Sequence, residues 1–266
     1  MIVRQKEEYA CTSFSVKPKK KYVNEDFYVN EKALLPSNEY AYLSIIADGM
    51  GGHDDGDVAS FFAVHHVLRW WRSTFWFMED EKSWFQEIQE QLIEQFKDIN
   101  HRLIAAGNRE QKKIGTTLSV LILVDGKYII GHVGDSKIYR YRQDTSDFSI
   151  DDDTIDLHEL DSFIQLTEDH ARKVYRAGEM VQSHVLTQCM GIKGEVSPFI
   201  KIGTYEKDDL FLLTTDGLEK VLHIRDVERI IQEQDSTEKR AEILYHQVIN
   251  KPFSDDVTVT LLSDFC

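Results

Sequence analysis

Acidic residues recur in one pattern along this chain. SIIADG ends an apolar run at Asp48-Gly49, IIGHVGDS places Asp135 after Gly134, LFLLTTDG ends at Asp216-Gly217, and SDDVTVTLL opens with Asp255 and Asp256. A further acidic pair, Glu25-Asp26, flanks a short β-like segment in YVNEDFYVN. One aspartate beside a glycine at a strand end is ordinary turn chemistry. Repeated on well-separated apolar strands it suggests more. If the strands lie in adjacent sheets, the carboxylates meet, and like charges raise one another's pKa unless a cation holds them ionised. No lysine or arginine recurs beside these aspartates in the sequence, so a metal is the expected counter-charge. Oxygen ligands select hard ions such as Mg²⁺ or Mn²⁺ over zinc. Gly49, without a Cβ, would let its carbonyl approach such an ion. Two ions roughly 3.5–4 Å apart would ionise a bridging water and neutralise phosphoryl charge. GMGG lacks the Gly-Lys-Ser/Thr ending of a nucleotide loop and is not read as one.

The elements that must position these acids are legible in part. Strands are expected at Tyr42–Ala47, Thr117–Val124, Lys127–Val133, Ser136–Arg142, Asp209–Thr215 and Val257–Leu262, with Asp125-Gly126 as a two-residue hairpin turn. Helices are expected at about 56–76, at about 81–106 with Gly107 as the stop, at 225–233 and at 237–249. The order does not alternate strand with helix, which predicts largely antiparallel sheet with helices packed outside. Trp70, Trp71, Phe75, Trp76 and Phe77 read as a helix face packed on a sheet. The acidic stretch Asp144 to Asp161 lacks the glycine and terminal glutamate of a calcium loop and reads as a solvated insertion.

Composition narrows the function classes. In 266 residues, 42% hydrophobic and 29% charged, 31 basic against 46 acidic side chains give a net charge of −15. That sign disfavours nucleic acid and anionic membrane as partners. No signal peptide is visible, and FFAVHHVLRWWRSTFWFM is interrupted by His65, His66, Arg69 and Arg72, so no span is expected. Three cysteines without a CxxC pair point away from zinc and disulfides and toward the cytoplasm. Four prolines, no linker and no repeat suggest a single domain over 1–266, expected as a monomer.

The segments VNEDFYV, IIADGMGGHDDGDVAS, GTTLSVLIL, GHVGDSKIYRYR, LTEDHA, VLTQCMG, LLTTDGL and SDDVTVTLL occur in that order from about residue 21 to 262. This series resembles the protein phosphatase 2C family, metal-dependent Ser/Thr phosphatases, in its compact bacterial form. The resemblance implies an α+β fold: a four-layer αββα sandwich, two stacked antiparallel sheets flanked by helices, with metals at one end. It implies that Asp48 bridges two ions and Gly49 gives its carbonyl to one. Asp216 and Asp255 would hold the first ion, and Asp26, supported by Glu25, the second. Asp135 with Asp216 would hold a third. The family reads Asp-Asn at the last motif, so Asp255 is matched as the ligand and Asp256 stands for the asparagine. Asp48, Asp216 and Asp255 are then the catalytic set. The implied reaction is in-line attack on phosphoserine or phosphothreonine proteins by a hydroxide between two Mn²⁺ or Mg²⁺ ions. No phosphoenzyme forms, and the enzyme opposes a cognate Ser/Thr kinase. His53 and His170 are candidate acids for the leaving alkoxide, weighed against a hydrogen-bonded structural role; His132 is a weaker one.

Departures fall on substrate-contacting parts. Lys21, ending the run KPKKK, stands where many relatives carry an arginine that clamps the substrate phosphate; lysine offers a mobile point charge in place of a fork. The alternative reading of that run is a solvated surface. Residues 171–185 are shorter than the usual flap, and Gln188 stands where arginine is common. These motivate a competing reading, a phosphoprotein-binding pseudophosphatase, against which the full aspartate set argues.

Overall fold

Residues 3–7, 9–35, 38–51, 55–74, 84–143, 162–176, 179–192, 194–234, 236–263 and 265 are described by a computed structural model of the chain. Two antiparallel sheets dominate it. The first runs β1 (Val3–Glu7), β2 (Tyr9–Val16), β14 (Val257–Ser263), β13 (Leu210–Thr214), β8 (Lys137–Tyr141), β9 (Phe163–Gln165). The second runs β12 (Phe199–Thr204), β7 (Lys127–Val133), β6 (Leu118–Val124), β4 (Tyr40–Gly51), β3 (Asp26–Leu34), with the short β5 (Ile114–Thr116) paired to the end of β4. A separate hairpin joins β10 (Ala171–Arg176) and β11 (Glu179–Leu186).

Alternation along the strands builds the layers. In β4, Leu43, Ile45 and Ala47 pack under α1 (Gly56–Thr74) and α2 (Trp84–Glu110), while Tyr42 and Ile46 face the other sheet. In β13, Phe211 and Leu213 fill that same inter-sheet core. Its Leu210 and Leu212 join the core beneath α3 (Gly217–Val221), α4 (Ile224–Glu233) and α5 (Thr237–Ile249). Three apolar cores thus separate four layers, the expected αββα sandwich. Strands buried on both faces read as continuous apolar runs, as LSVLILV of β6 does. The expected hairpin turn forms at Asp125 (φ 47°) and Gly126 (φ 67°), both left-handed as a type I′ turn requires. Trp70 and Trp71 are buried against the sheet, as expected; Phe75, Trp76, Phe77 and the acidic stretch from Asp144 to Asp161 lie outside the described residues.

Gly107 does not end α2, which continues to Glu110. A side chain there would sit 2.7 Å from the Lys112 carbonyl, so this glycine lets the departing chain fold back across the helix. β2 and β12 escaped the sequence reading because their composition is too polar for an apolar run. In β2 the hydroxyls themselves pair across the sheet, Ser13 to Thr260 at 2.9 Å and Ser15 to Thr258 at 2.7 Å. Among the described residues no helix is long and apolar enough to cross a membrane.

Candidate metal centre

The acids meet at one end of the sandwich. Asp26 opens β3 and lies directly opposite Asp48 in the antiparallel register with β4. Asp48 does not end its strand, as its apolar run suggested; β4 continues to Gly51 by pairing with β5. Its backbone is fixed on both sides. The Asp48 amide donates to Thr117 Oγ1 at 2.8 Å, and its carbonyl accepts from Thr117 N at 2.8 Å and Thr116 Oγ1 at 2.9 Å. Thr117 Oγ1 also touches Ser136 Oγ at 2.8 Å, tying Asp48 to the loop that carries Asp135.

The two sheets are stitched through Asp26. Its Oδ2 accepts from Thr215 Oγ1 at 2.9 Å and Thr258 Oγ1 at 2.7 Å, both on the opposite sheet's strand ends. Two donors on one oxygen hold the carboxylate fixed, and its buried Oδ1 has no donor. Asp216 begins α3 without a side-chain capping bond, and its buried Oδ1 also lacks one. Gly217 permits this junction, since a Cβ would collide with the Asp256 carbonyl. Asp256 is buried, and its Oδ2 accepts from the Glu25 amide at 2.8 Å. Asp255 is more open and turns its Oδ1 to the Asp256 amide at 2.9 Å. The pair therefore divides its work: Asp256 braces the Glu25–Asp26 segment, and Asp255 faces the cluster.

Electrostatics register the convergence. Burial pushes the Asp48 carboxyl well above its ordinary value, and the charges of Asp26, Asp216, Asp255 and Asp135 push it further. Asp26 rises to about 7, through burial and the nearby Asp256 and Asp255, against the pull of the two threonine hydroxyls. Asp135 rises to about 6, through burial and Asp216.

One expectation is overturned. Lysines do stand beside the aspartates: Lys220 Nζ lies 2.5 Å from Asp216 Oδ2 and 2.6 Å from Asp255 Oδ2, and Lys21 Nζ lies 2.6 Å from Glu25 Oε2 and 2.7 Å from Asp256 Oδ2. Both lysines are four residues from an acid of the cluster, a spacing that is invisible as adjacency and becomes contact once the chain turns. Lys21 is thus no part of a solvated run, although Lys19 and Lys20 are exposed. Thr215, Thr258 and Lys220 were missed by sequence reasoning. The doubled threonine before Asp216 and the Asp216-to-Lys220 interval were the available signals.

The histidines take structural contacts. His170 Nδ1 accepts from the Gly134 amide at 3.2 Å, bracing the Asp135 loop, and its ring stacks on His132 with centroids 5.3 Å apart. His132 is buried, bonded to Ser119 Oγ at 2.8 Å and to the Gly134 carbonyl at 3.0 Å, and burial with the neighbouring His170 lowers it to about 3. His53 lies outside the described residues.

The donor set fits hard divalent ions. It is all oxygen, and Asp26 and Asp216 each present a buried carboxylate oxygen with no hydrogen-bond donor. Among the described residues, however, no three acids surround a single point as ligands would, and ammonium groups sit on Asp216, Asp255 and Asp256.

The model for protein phosphatase 2C matches residues 19–249. The chain belongs to the protein phosphatase 2C family. It is 30% identical over 230 residues to protein phosphatase PhpP of Streptococcus pneumoniae, covering 83% of this chain and 85% of that one. The solved serine/threonine phosphatase of S. agalactiae superposes with a TM-score of 0.76 at 22% identity, covering 96% of this chain and 99% of that one. The catalytic domain of the serine/threonine phosphatase PstP, solved with two manganese ions, superposes with a TM-score of 0.70 at 19% identity over 96% and 97% of the chains. The αββα fold is therefore that of the family, and the chain is a metal-dependent serine/threonine phosphoprotein phosphatase. The pseudophosphatase reading gives way to it.

The raised Asp26 yields a pH prediction for metal-free protein in chelator. Its folded pKa near 7 exceeds the ordinary value of 3.8, so between those limits the folded state keeps a proton that the unfolded state releases. Stability from this group is therefore lost as pH rises through the window. Asp26→Asn, which cannot titrate, should gain on the wild type by up to about 4 kcal/mol between pH 4 and pH 8. Thermal melts across that range test it; a wild-type-to-variant difference that stays flat with pH would refute the linkage.

Proposed function

We propose that Asp48, Asp216 and Asp255 form the catalytic metal centre of this phosphatase, with Asp26, the Gly49 carbonyl and Asp135 completing its ligands. Glu25 and Asp256 support them from behind. The observation that carries this reading is that carboxylates from both sheets come together at one end of the sandwich, joined through Asp26, Thr215 and Thr258. Asp48 is their electrostatic focus. The PstP domain with its two manganese ions supports two Mn²⁺ or Mg²⁺ as the cofactor, and Asp135 with Asp216, whose charge acts on it, would hold a third.

Bound there, such ions supply Lewis-acid activation of water and neutralise charge on the phosphate. The residues of the chain do the rest. Asp26 is pinned through Oδ2, which would leave its Oδ1 available to an ion. The backbone of Asp48 is held by Thr116 and Thr117, which fixes the point from which its carboxylate would reach an ion. Lys21 would meet a substrate phosphate as a point charge, a role supported by its partly exposed ammonium beside Glu25 and Asp256. Substrates are proteins phosphorylated on serine or threonine by a separate kinase. The chain works as one catalytic domain, monomeric and cytoplasmic, and binds neither nucleic acid nor membrane.

Phosphate release from a phosphothreonine peptide tests the assignment. Mn²⁺ should stimulate it at least tenfold over chelator-treated enzyme, and Asp216→Asn should remove the stimulation. An Asp216→Asn enzyme retaining the full Mn²⁺-stimulated rate would rule the assignment out.

A further inference from the structure

We propose that Lys220 is a built-in counter-ion of the metal centre, which occupies the Asp216–Asp255 pair in the metal-free protein and must be displaced for an ion to bind. The inference rests on the metal-centre assignment above and concerns how its occupancy is set.

The geometry is specific to two acids. Asp216 stands at the start of α3, and the first turn of that helix brings Lys220 back over it, so the ammonium lies 2.5 Å from Asp216 Oδ2 and 2.6 Å from Asp255 Oδ2. One lysine thus bridges two carboxylates that arrive on different elements, the β13–α3 junction and the start of β14. These are the two assigned to a common ion. A divalent ion and an ammonium cannot both sit at contact distance on Asp216 Oδ2 and Asp255 Oδ2, because the two positive charges repel. Neighbouring Glu219 is engaged elsewhere. It receives Lys137 Nζ at 2.9 Å and the Tyr139 hydroxyl, which anchors α3 independently of Lys220. The Lys220 side chain is 28% exposed, enough for its head to leave for solvent without unpacking the helix.

The arrangement has two consequences. Without metal, the ammonium offsets repulsion among acids that would otherwise destabilise this end of the sandwich. With metal, its displacement is subtracted from ion affinity, so occupancy responds to the free ion concentration over a higher range than the bare carboxylates would give. Lys21 bridges a different set, Glu25 and Asp256, with Asp255 only at 3.6 Å, so it does not substitute for Lys220.

Calorimetric titration of Mn²⁺ into wild type, Lys220→Gln and Lys220→Arg, with melts of each in chelator, decides the matter. Lys220→Gln should bind Mn²⁺ about tenfold more tightly and melt lower when metal-free, while Lys220→Arg, which keeps a cation, should stay near wild type in both. Equal affinities in wild type and Lys220→Gln would overturn the counter-ion role while leaving the metal centre intact, as would a rise in Lys220→Arg equal to that in Lys220→Gln. Absence of Mn²⁺ binding in all three proteins would instead bring down the metal-centre assignment, and this inference with it.

Discussion

Asp48→Asn should cost about 10³ in the Mn²⁺-stimulated rate and at the same time raise the melting temperature of the metal-free protein. The two effects have one origin. Asp48 lies opposite Asp26 and feels Asp216, Asp255 and Asp135, so its charge is crowded by four other carboxylates. Crowding is useful only when ions are bound. They then see a full set of carboxylates, and losing the central one forfeits several kcal/mol of charge stabilisation, which is about three orders of magnitude in rate. Without ions the same carboxylate is a burden, since its ionised form repels its neighbours in a buried site. Asparagine keeps the shape and removes the burden. The expected pattern is thus weaker Mn²⁺ binding, a slower enzyme and a more stable metal-free fold, a trade of stability for function. Calorimetry, initial rates and melts in chelator measure all three. A metal-free variant that melts below wild type would contradict the electrostatic account even if activity were lost, because ordinary damage to the fold also kills activity.

Gly49→Ala should destabilise the protein by about 3 kcal/mol or more and abolish tight metal binding. The reason is space. Gly49 has no left-handed backbone to protect, but a Cβ there would collide with the Gly56 carbonyl and lie 2.7 Å from the Glu25 carbonyl. These are backbone atoms, which cannot rotate aside, so either β4 or the start of α1 must shift. Both movements pull on the Asp26–Asp48 register, because the Gly49 amide donates to the Glu25 carbonyl at 3.0 Å. Gly131→Ala provides the comparison. Its Cβ would press on the side chains of Leu92 and Phe96, at 2.8 and 2.9 Å, which can adjust in the core under α2. That variant should lose less stability and keep wild-type Mn²⁺ affinity. Denaturant unfolding and Mn²⁺ titration of both variants check the contrast; equal losses in metal affinity would show that generic overpacking, and no special closeness at Gly49, was responsible.

Much of the chemistry was legible before any fold was known. Aspartates at the ends of apolar runs, flanked by glycine, announce a polar site served by buried strands once they recur, because a single one is ordinary turn chemistry. Antiparallel sheet with helices outside was accessible too, through runs such as LSVLILV and the Asp-Gly turn that follows one of them, whereas the four-layer αββα order came from the family resemblance. Strands whose pairing depends on hydroxyls were hidden: β2 looks like loop until Ser13 and Ser15 meet Thr260 and Thr258 from the far end of the chain.

Residue types and order alone therefore determined that this chain carries an oxygen-rich, phosphatase-like acid set on a largely antiparallel scaffold. Tertiary structure decided how those acids are held and neutralised. It brought Thr215 and Thr258 onto one oxygen of Asp26, made Asp256 a brace and left Asp255 to the cluster, and folded Lys21 and Lys220 onto acids the linear sequence seemed to leave without cations. The physical reason is range: the pattern of a strand or a turn is written within a few residues, whereas the balance of charge in a site depends on distances between residues more than two hundred positions apart, such as Asp26 and Thr258.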